Sequence, residues 1–262
     1  MRVGSLFTGI GGFDLAFEQA GYIVAWQCEI NRLATVVLRR HWPDVACYDD
    51  IRRIADGTYQ PAAVDLLCGG DPCPIRSRAR GSRPSRHPDL AGYFLAVAGR
   101  FRPKWVVREN VPAPDHVHFA AGLECLGYSP VVVELNSAGF TGQSRARQFC
   151  IGCPGPGTAN RLKSLLAESQ LCGGNRPAIS KAQTIIACLV AHPKRFHDGE
   201  SYIYEPSANA LRVLTTAERE RLQGFPAGWV EGASFYGAAK LLGNAVTVPV
   251  ARYVAELIRE AA

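Results

Sequence analysis

Short apolar runs alternate with stretches of helical spacing from the first residues onward. Val3 to Phe7 is an apolar run that ends in the glycine turn Thr8-Gly9-Ile10-Gly11-Gly12, and Phe13 to Ala20 follows with apolar residues at helical spacing. Ile23 to Cys28 reads as a second strand and Arg32 to about Arg40 as a helix; a third strand is expected just before Asp49-Asp50-Ile51. Val64 to Cys68 is a fourth run, apolar enough for a parallel strand buried on both faces. A helix from about Leu90 to Phe101 leads to a strand Trp105 to Arg108 that runs into Glu109-Asn110-Val111. A helix near Phe119 to Leu126 and strands at Ser129 to Leu135 and Gln148 to Gly152 complete the series. Such alternation predicts an α/β fold with a doubly wound, mostly parallel sheet.

The pattern weakens between about Pro154 and Leu211, where Gly, Pro, Ser and Asn accumulate. Only Arg161 to Glu168 reads as a weak helix there, and Thr184 to Val190 as an apolar run. The expected organisation is a main domain over 1–153, a small irregular region over 154–211, and completion of the main domain by 212–262. A capping-box-like Thr215-Thr216-Ala217-Glu218 starts a helix to Gln223, and Val250 to Ala261 forms an amphipathic helix. No internal repeat is visible, nor an apolar run long enough to span a membrane, and Met1 to Phe7 reads as a strand, not a cleavable signal.

Composition narrows the class. With 262 residues, 47% hydrophobic and 20% charged, the chain suits a soluble globular domain with a sizeable core. Its net charge of +6 is a mild pull toward a polyanion, and distribution adds more: Arg76, Arg78, Arg80, Arg83 and Arg86 crowd one short stretch. Nine cysteines without framework spacing point to a reducing cytosol and a cytoplasmic protein. Cys150 and Cys153 form a C-x-x-C, but Cys172, Cys188, His192 and His197 are scattered and Cys150 belongs to a strand, so no metal site is expected.

Candidate chemistry gathers at strand ends. Gly69-Gly70-Asp71-Pro72-Cys73-Pro74 follows the fourth strand, so Cys73 would stand in a loop at the sheet's ligand-binding rim, its backbone fixed by two glycines and two prolines. The glycine turn after the first strand would let a ligand approach the backbone at a helix amino end. Glu29 closes the second strand, where a carboxylate can accept from ribose hydroxyls, and Asp50 after the third could accept from an adenine amine. Glu109 ends the strand after the one carrying Cys73. A thiol near a carboxylic acid suits attack on an electron-poor ring whose nitrogen is protonated as the bond forms. Each residue alone is compatible with an inert turn or a solvated acid; their coincidence at successive strand ends points to a site.

Six motifs then occur in order: Phe7-Thr8-Gly9-Ile10-Gly11-Gly12, Pro72-Cys73, Glu109-Asn110-Val111, Gln143-Ser144-Arg145-Ala146-Arg147, Arg221-Leu222-Gln223-Gly224-Phe225-Pro226 and Gly243-Asn244-Ala245-Val246. Together they resemble the motif series of the DNA cytosine-5 methyltransferases, over nearly all of the chain except about 154 to 211. The resemblance implies a Rossmann-like, S-adenosylmethionine-dependent fold with a target-recognition region at 154–211. It implies that Cys73 attacks C6 of a flipped cytosine, that Glu109 protonates or hydrogen-bonds N3, and that Arg147 contacts O2 with Arg145 beside it. Cofactor positions carried over are Phe7, Gly9, Ile10, Gly11, Gly12, Glu29, Ile30, Asp50, Ile51, Asp71, Pro72, Asn244, Ala245 and Val246, with S-adenosylhomocysteine as product. Ile30 stands where the family often has an aromatic residue. Double-stranded DNA is the implied partner, contacted by Arg76, Arg78, Arg80, Arg83, Arg86 and Gln143, with the protein a monomer and any restriction endonuclease acting separately.

Two residues depart from the family pattern. Asp71 stands where proline or another uncharged residue is usual, and Arg108 precedes Glu109 where an apolar residue is common. They keep open a modified pyrimidine, a variant alkyl donor or a catalytically weak DNA-binding homologue, and the short recognition region leaves a tRNA cytosine-5 methyltransferase as a further alternative.

Overall fold

A computed structural model describes residues 1–72, 90–171, 187–189, 202–207 and 209–262. Cys73 and the arginines from Arg76 to Arg86 lie outside the described residues, as do Cys172, His192 and His197. The chain runs β1 (Arg2–Leu6), α1 (Gly12–Gln19), β2 (Ile23–Cys28), α2 (Arg32–His41), β3 (Ala46–Tyr48), α3 (Ile51–Ala55), β4 (Leu66–Gly69), α4 (Ala91–Phe101), β5 (Trp105–Asn110) and α5 (Asp115–Cys125). It continues through β6 (Ser129–Asn136), α6 (Ala138–Thr141), β7 (Ala146–Cys153), α7 (Pro156–Leu171), β8 (Tyr202–Glu205), β9 (Ala210–Val213), α8 (Thr216–Gln223), α9 (Phe235–Asn244) and α10 (Val248–Ala261).

Seven strands form one sheet in the order β3-β2-β1-β4-β5-β7-β6. Strands β1 to β5 are parallel, while β7 lies antiparallel to both β5 and β6. The expected doubly wound, mostly parallel α/β sheet is therefore present. Strand order reverses between β1 and β4, the switch point at which such sheets open a crevice outside their carboxyl ends.

Alternation along the strands builds a core on each face. Val3, Leu66, Cys68, Trp105, Val107, Phe149 and Ile151 face α1, α2, α7 and α10, whereas Leu6, Leu67, Val106 and Cys150 face α3, α4 and α5. Local signals hold the helices in register: Asn31 accepts from Leu33 N at 2.9 Å to cap α2, and Thr215 and Glu218 make the anticipated capping box of α8.

Two differences from expectation concern the second half. Helix α7 is twice as long as its sequence signal; Ala159, Leu162 and Leu166, at helical spacing, are buried in the main core beside α10. The boundary expected at 153/154 thus falls in front of a helix that packs on the sheet. Further on, β8 and β9 form a separate two-stranded hairpin, with Arg212 bridging Glu205 and Glu218 so that the hairpin is tied to α8. The stretch Phe235–Ala261 is long and apolar enough to cross a membrane by length and composition alone, yet Lys240, Arg252 and Glu256 interrupt it and 72% of its apolar window is buried inside the fold. Residues 245–247 break it into α9 and α10.

Candidate active site

The glycine turn, Glu29, Asp50, Asp71 and Glu109 all follow or end parallel neighbours, so the topology lines them along one rim of the sheet. Phe7, the first residue past β1, adopts φ 51, a left-handed conformation that few non-glycine residues take and that marks a constrained position. No side chain caps the start of α1, which leaves its first N–H groups to the crevice. Trp229 Nε1 donates to Ile10 O at 2.9 Å and holds the turn from behind. Gly12 lies against Val246: an added Cβ would stand 2.8 Å from its side chain, so the first and sixth motifs meet here through a close approach only glycine permits.

Glu29 accepts from Gly9 N and Asn31 N, each at 2.7 Å. Burial raises its pKa, against the opposing pull of those amides, and each oxygen keeps a lone pair for a further donor. Ile30 beside it is 70% exposed, an apolar surface on which a flat ring can lie. Asp50 caps α3 and is held by Arg52 at 2.7 Å, which lowers its pKa. Its neighbour Ile51 is buried, Pro72 is exposed, and Asn244 is exposed at the end of α9 with Ala245 and Val246 buried behind it. Glycine-loop amides, a carboxylate with free lone pairs and a bare apolar side chain fit a nucleoside bearing a ribose and a purine.

On the other side of the switch point, Glu109 is 8% exposed. Burial raises its pKa, with Arg147 and Arg145 pulling the other way. Arg147 Nε lies 3.1 Å from Glu109 Oε1, pairing the two side chains that the resemblance assigns to one base. Gly70 touches the same carboxyl, since a Cβ there would stand 3.0 Å from Oε2. The segment leading into Cys73 and the Glu109 carboxyl are therefore adjacent.

Other expected site residues turn inward. Gln143, read as a DNA contact, is fully buried; its amide donates to Leu222 O and Gln223 Oε1 and accepts from Leu189 N at 2.8 Å. Arg145 is buried too and donates to Gly243 O, Ala245 O and Cys188 Sγ at 3.0 to 3.2 Å. Burial, then Arg147, lowers its pKa. It ties the residue just before β7 to the end of α9. Asp71, placed with the cofactor residues, is buried with both carboxylate oxygens on Arg108, at 2.5 and 2.9 Å. The two departures from the family pattern are partners of each other.

Sequence reasoning passes over Asp14 and Trp229. Asp14 is fully buried under the glycine turn, bonded to Ser5 Oγ and Gln27 Nε2, and burial pushes its pKa up to about 7. The available signal is an acid three positions before Phe17, on the apolar face of α1. Cys150 and Cys153 show why their C-x-x-C is no metal pair: in a strand, positions three apart point to opposite faces, and these two lie in the two different cores.

The residue profile of the C-5 cytosine-specific DNA methylases matches 1–170 and 160–260. Two bacterial proteins are similar over nearly the whole chain. The Type II methyltransferase M2.BsuMI of Bacillus subtilis is 26% identical, with 98% of this chain and 75% of that protein covered. The Type II methyltransferase M.HindV of Haemophilus influenzae is 25% identical, with 98% and 96% covered. Among solved structures, the Entamoeba histolytica methyltransferase EhMeth superposes with a TM-score of 0.71 at 16% identity, covering 99% of this chain and 98% of its own, a likeness of fold.

Proposed function

Because this chain belongs to the C-5 cytosine-specific DNA methylase family and is on that account a DNA cytosine-5 methyltransferase, we propose that it works on a flipped cytosine in a short DNA sequence through a covalent bond to Cys73. Flipping exposes an atom that is unreachable in the stack, at an unstacking cost of a few kcal/mol that protein contacts offset. The Cys73 thiolate adds to C6 and drives electrons toward C5, while Glu109 protonates or hydrogen-bonds N3 and Arg147 holds O2. Bound S-adenosylmethionine supplies the methyl group. C5 takes that methyl, its proton is lost to a base, and the C6–S bond breaks to return the thiolate as N3 gives back any proton taken from Glu109, with S-adenosylhomocysteine as the other product. Glu29, Ile30 and the turn from Phe7 to Gly12 hold the donor, with Asp50 toward the purine. We take the protein to act as a monomer, independent of any restriction endonuclease.

The observation that carries this reading is the Glu109 carboxyl: buried, raised in pKa, paired with Arg147 at 3.1 Å and touching the segment that enters Cys73. Burial that favours the protonated acid suits a group that gives a proton or hydrogen bond to N3 as the thiolate adds. The test is methyl transfer to cytosine-containing duplexes, with nucleoside mass spectrometry and trapping on 5-fluorocytosine DNA. Wild-type protein is expected to give 5-methylcytosine and a covalent complex, and Cys73→Ser to give neither. Methylation of tRNA with none of duplex DNA would replace the proposed substrate.

A further inference from the structure

Resting on that reading, we propose that Asp71, Arg108 and Asp115 form an ionic clamp that positions the nucleophile's segment and shields the general acid from a third cation. Arg108 is the partner of Gly69 in the β4–β5 ladder and its side chain is 1% exposed. Its Nε and Nη2 reach the two oxygens of Asp71, and Nη2 also reaches Asp115 Oδ2 at 2.9 Å. The guanidinium lies over the Phe119 ring at 4.8 Å. Asn110 Nδ2 donates to Asp71 O at 3.0 Å. The residue two places before Cys73 is thus fastened to β5 by side chain and main chain together, and the residue before it touches Glu109.

Neither charge is displayed to a substrate. A buried carboxylate and guanidinium are tolerated as a bidentate pair, and removing one strands the other. The groups acting on Glu109 are Arg147 from β7 and Arg145 just before it, Asp71 after β4 and Arg108 from β5; on the α5 side Asp115 and His116 face Arg108. Asp71 and Arg108 act on Glu109 with opposite signs. Paired, they largely cancel, so Arg108 packs beside the acid without pulling the proton from it. These are positioning residues, since none is placed to touch reacting atoms.

The test uses Asp71→Asn, Arg108→Met and the double variant in the full chain. Each single variant is expected to lower kcat about tenfold or more with KM for S-adenosylmethionine held within about twofold, and the double to regain most of the loss, because the one charge left over, Asp115, is part-exposed to water. Activity requires protonated Glu109 and declines as pH rises past its pKa. Asp71→Asn removes the buried counter-charge of Arg108, leaving only part-exposed Asp115, and moves that decline to lower pH; Arg108→Met leaves Asp71 uncancelled and moves it to higher pH. Arg108→Lys, which keeps the charge without the fork, substitutes if Arg108→Met does not fold and is expected to lose kcat as well. Additive losses in the double, or a rise in KM for S-adenosylmethionine with kcat intact after Asp71→Asn, would overturn the clamp.

A second readout needs no methyl transfer: the rate at which iodoacetamide alkylates Cys73, referred to exposed Cys125. An unmatched anion two positions along the chain from a thiol disfavours its thiolate, so Arg108→Met is expected to slow alkylation about threefold or more, Asp71→Asn to quicken it, and the double to return near wild type. If wild type neither transfers methyl nor traps DNA, the methyltransferase reading fails while this pattern still supports the clamp. Equal alkylation in all four proteins would refute the clamp whatever the activity.

Discussion

A carboxylic acid sealed in the core makes its protein answer to pH, and Asp14 is such a group. Burial raises its pKa from an ordinary value near 4 to about 7. The native protein therefore keeps a proton that the unfolded chain has released. This favours folding fully below about pH 4, and the advantage is lost as pH rises through about 7, a change of about 4 kcal/mol. Asp14→Asn removes the group. The unfolding free energy of wild type minus that of the variant is expected to fall by an amount of this order between pH 4 and 8, as chemical denaturation at a series of pH values will read; a difference that stays flat would place the proton elsewhere. Asp71 and Arg108 mark what a sequence withholds at this scale. Each is visibly out of place, yet 37 positions separate them, and their pairing exists only because β4 and β5 are ladder neighbours.

Elements are legible where periodicity is strong and obscure where small residues blur it. Strands β1, β2, β5 and β6 stand out because their apolar runs are bounded by glycine, proline or acidic turns, and α10 because its buried residues repeat at helical spacing. Helix α9 is hidden by Gly237, Ala238, Ala239 and Gly243, which pack closely but carry little hydrophobic signal. In α7, Gly157, Thr158 and Asn160 mask the opening turns, and only burial of Ala159 and Leu162 reveals them as core. Leu162→Ala is expected to cost about 2–5 kcal/mol in one cooperative unfolding transition shared with the catalytic domain. Loss of a minor separate transition instead would detach α7 from that domain. The rim of the candidate site is readable from the sequence because each chemical residue sits at a strand end. Its inner wall of Gln143, Arg145, Asp71 and Arg108 is not, because polar residues that serve as buried fasteners look like surface contacts until the packing is known.

At the scale of the whole molecule, net charge of +6 and the run of arginines after Cys73 argue for binding DNA through its phosphates. Affinity measured by fluorescence anisotropy against salt is expected to lose about 0.9 in its logarithmic slope for every arginine among Arg76, Arg78 and Arg80 that is replaced by Gln and binds a phosphate, with little dependence on DNA sequence. An unchanged slope would make the run a solvated loop. Charge elsewhere is turned to other uses, as Arg145 and Arg108 show by being buried.

Trp229 reaches back to Ile10 across 219 positions of chain, and Tyr22 reaches forward to Ala255. The turn after β1 is thus synthesised 219 positions ahead of the residue that supports it. At about 5–20 residues per second, its support follows about 10–40 s behind it. Until then a nascent chain carries the glycine turn without the wall that holds it from behind.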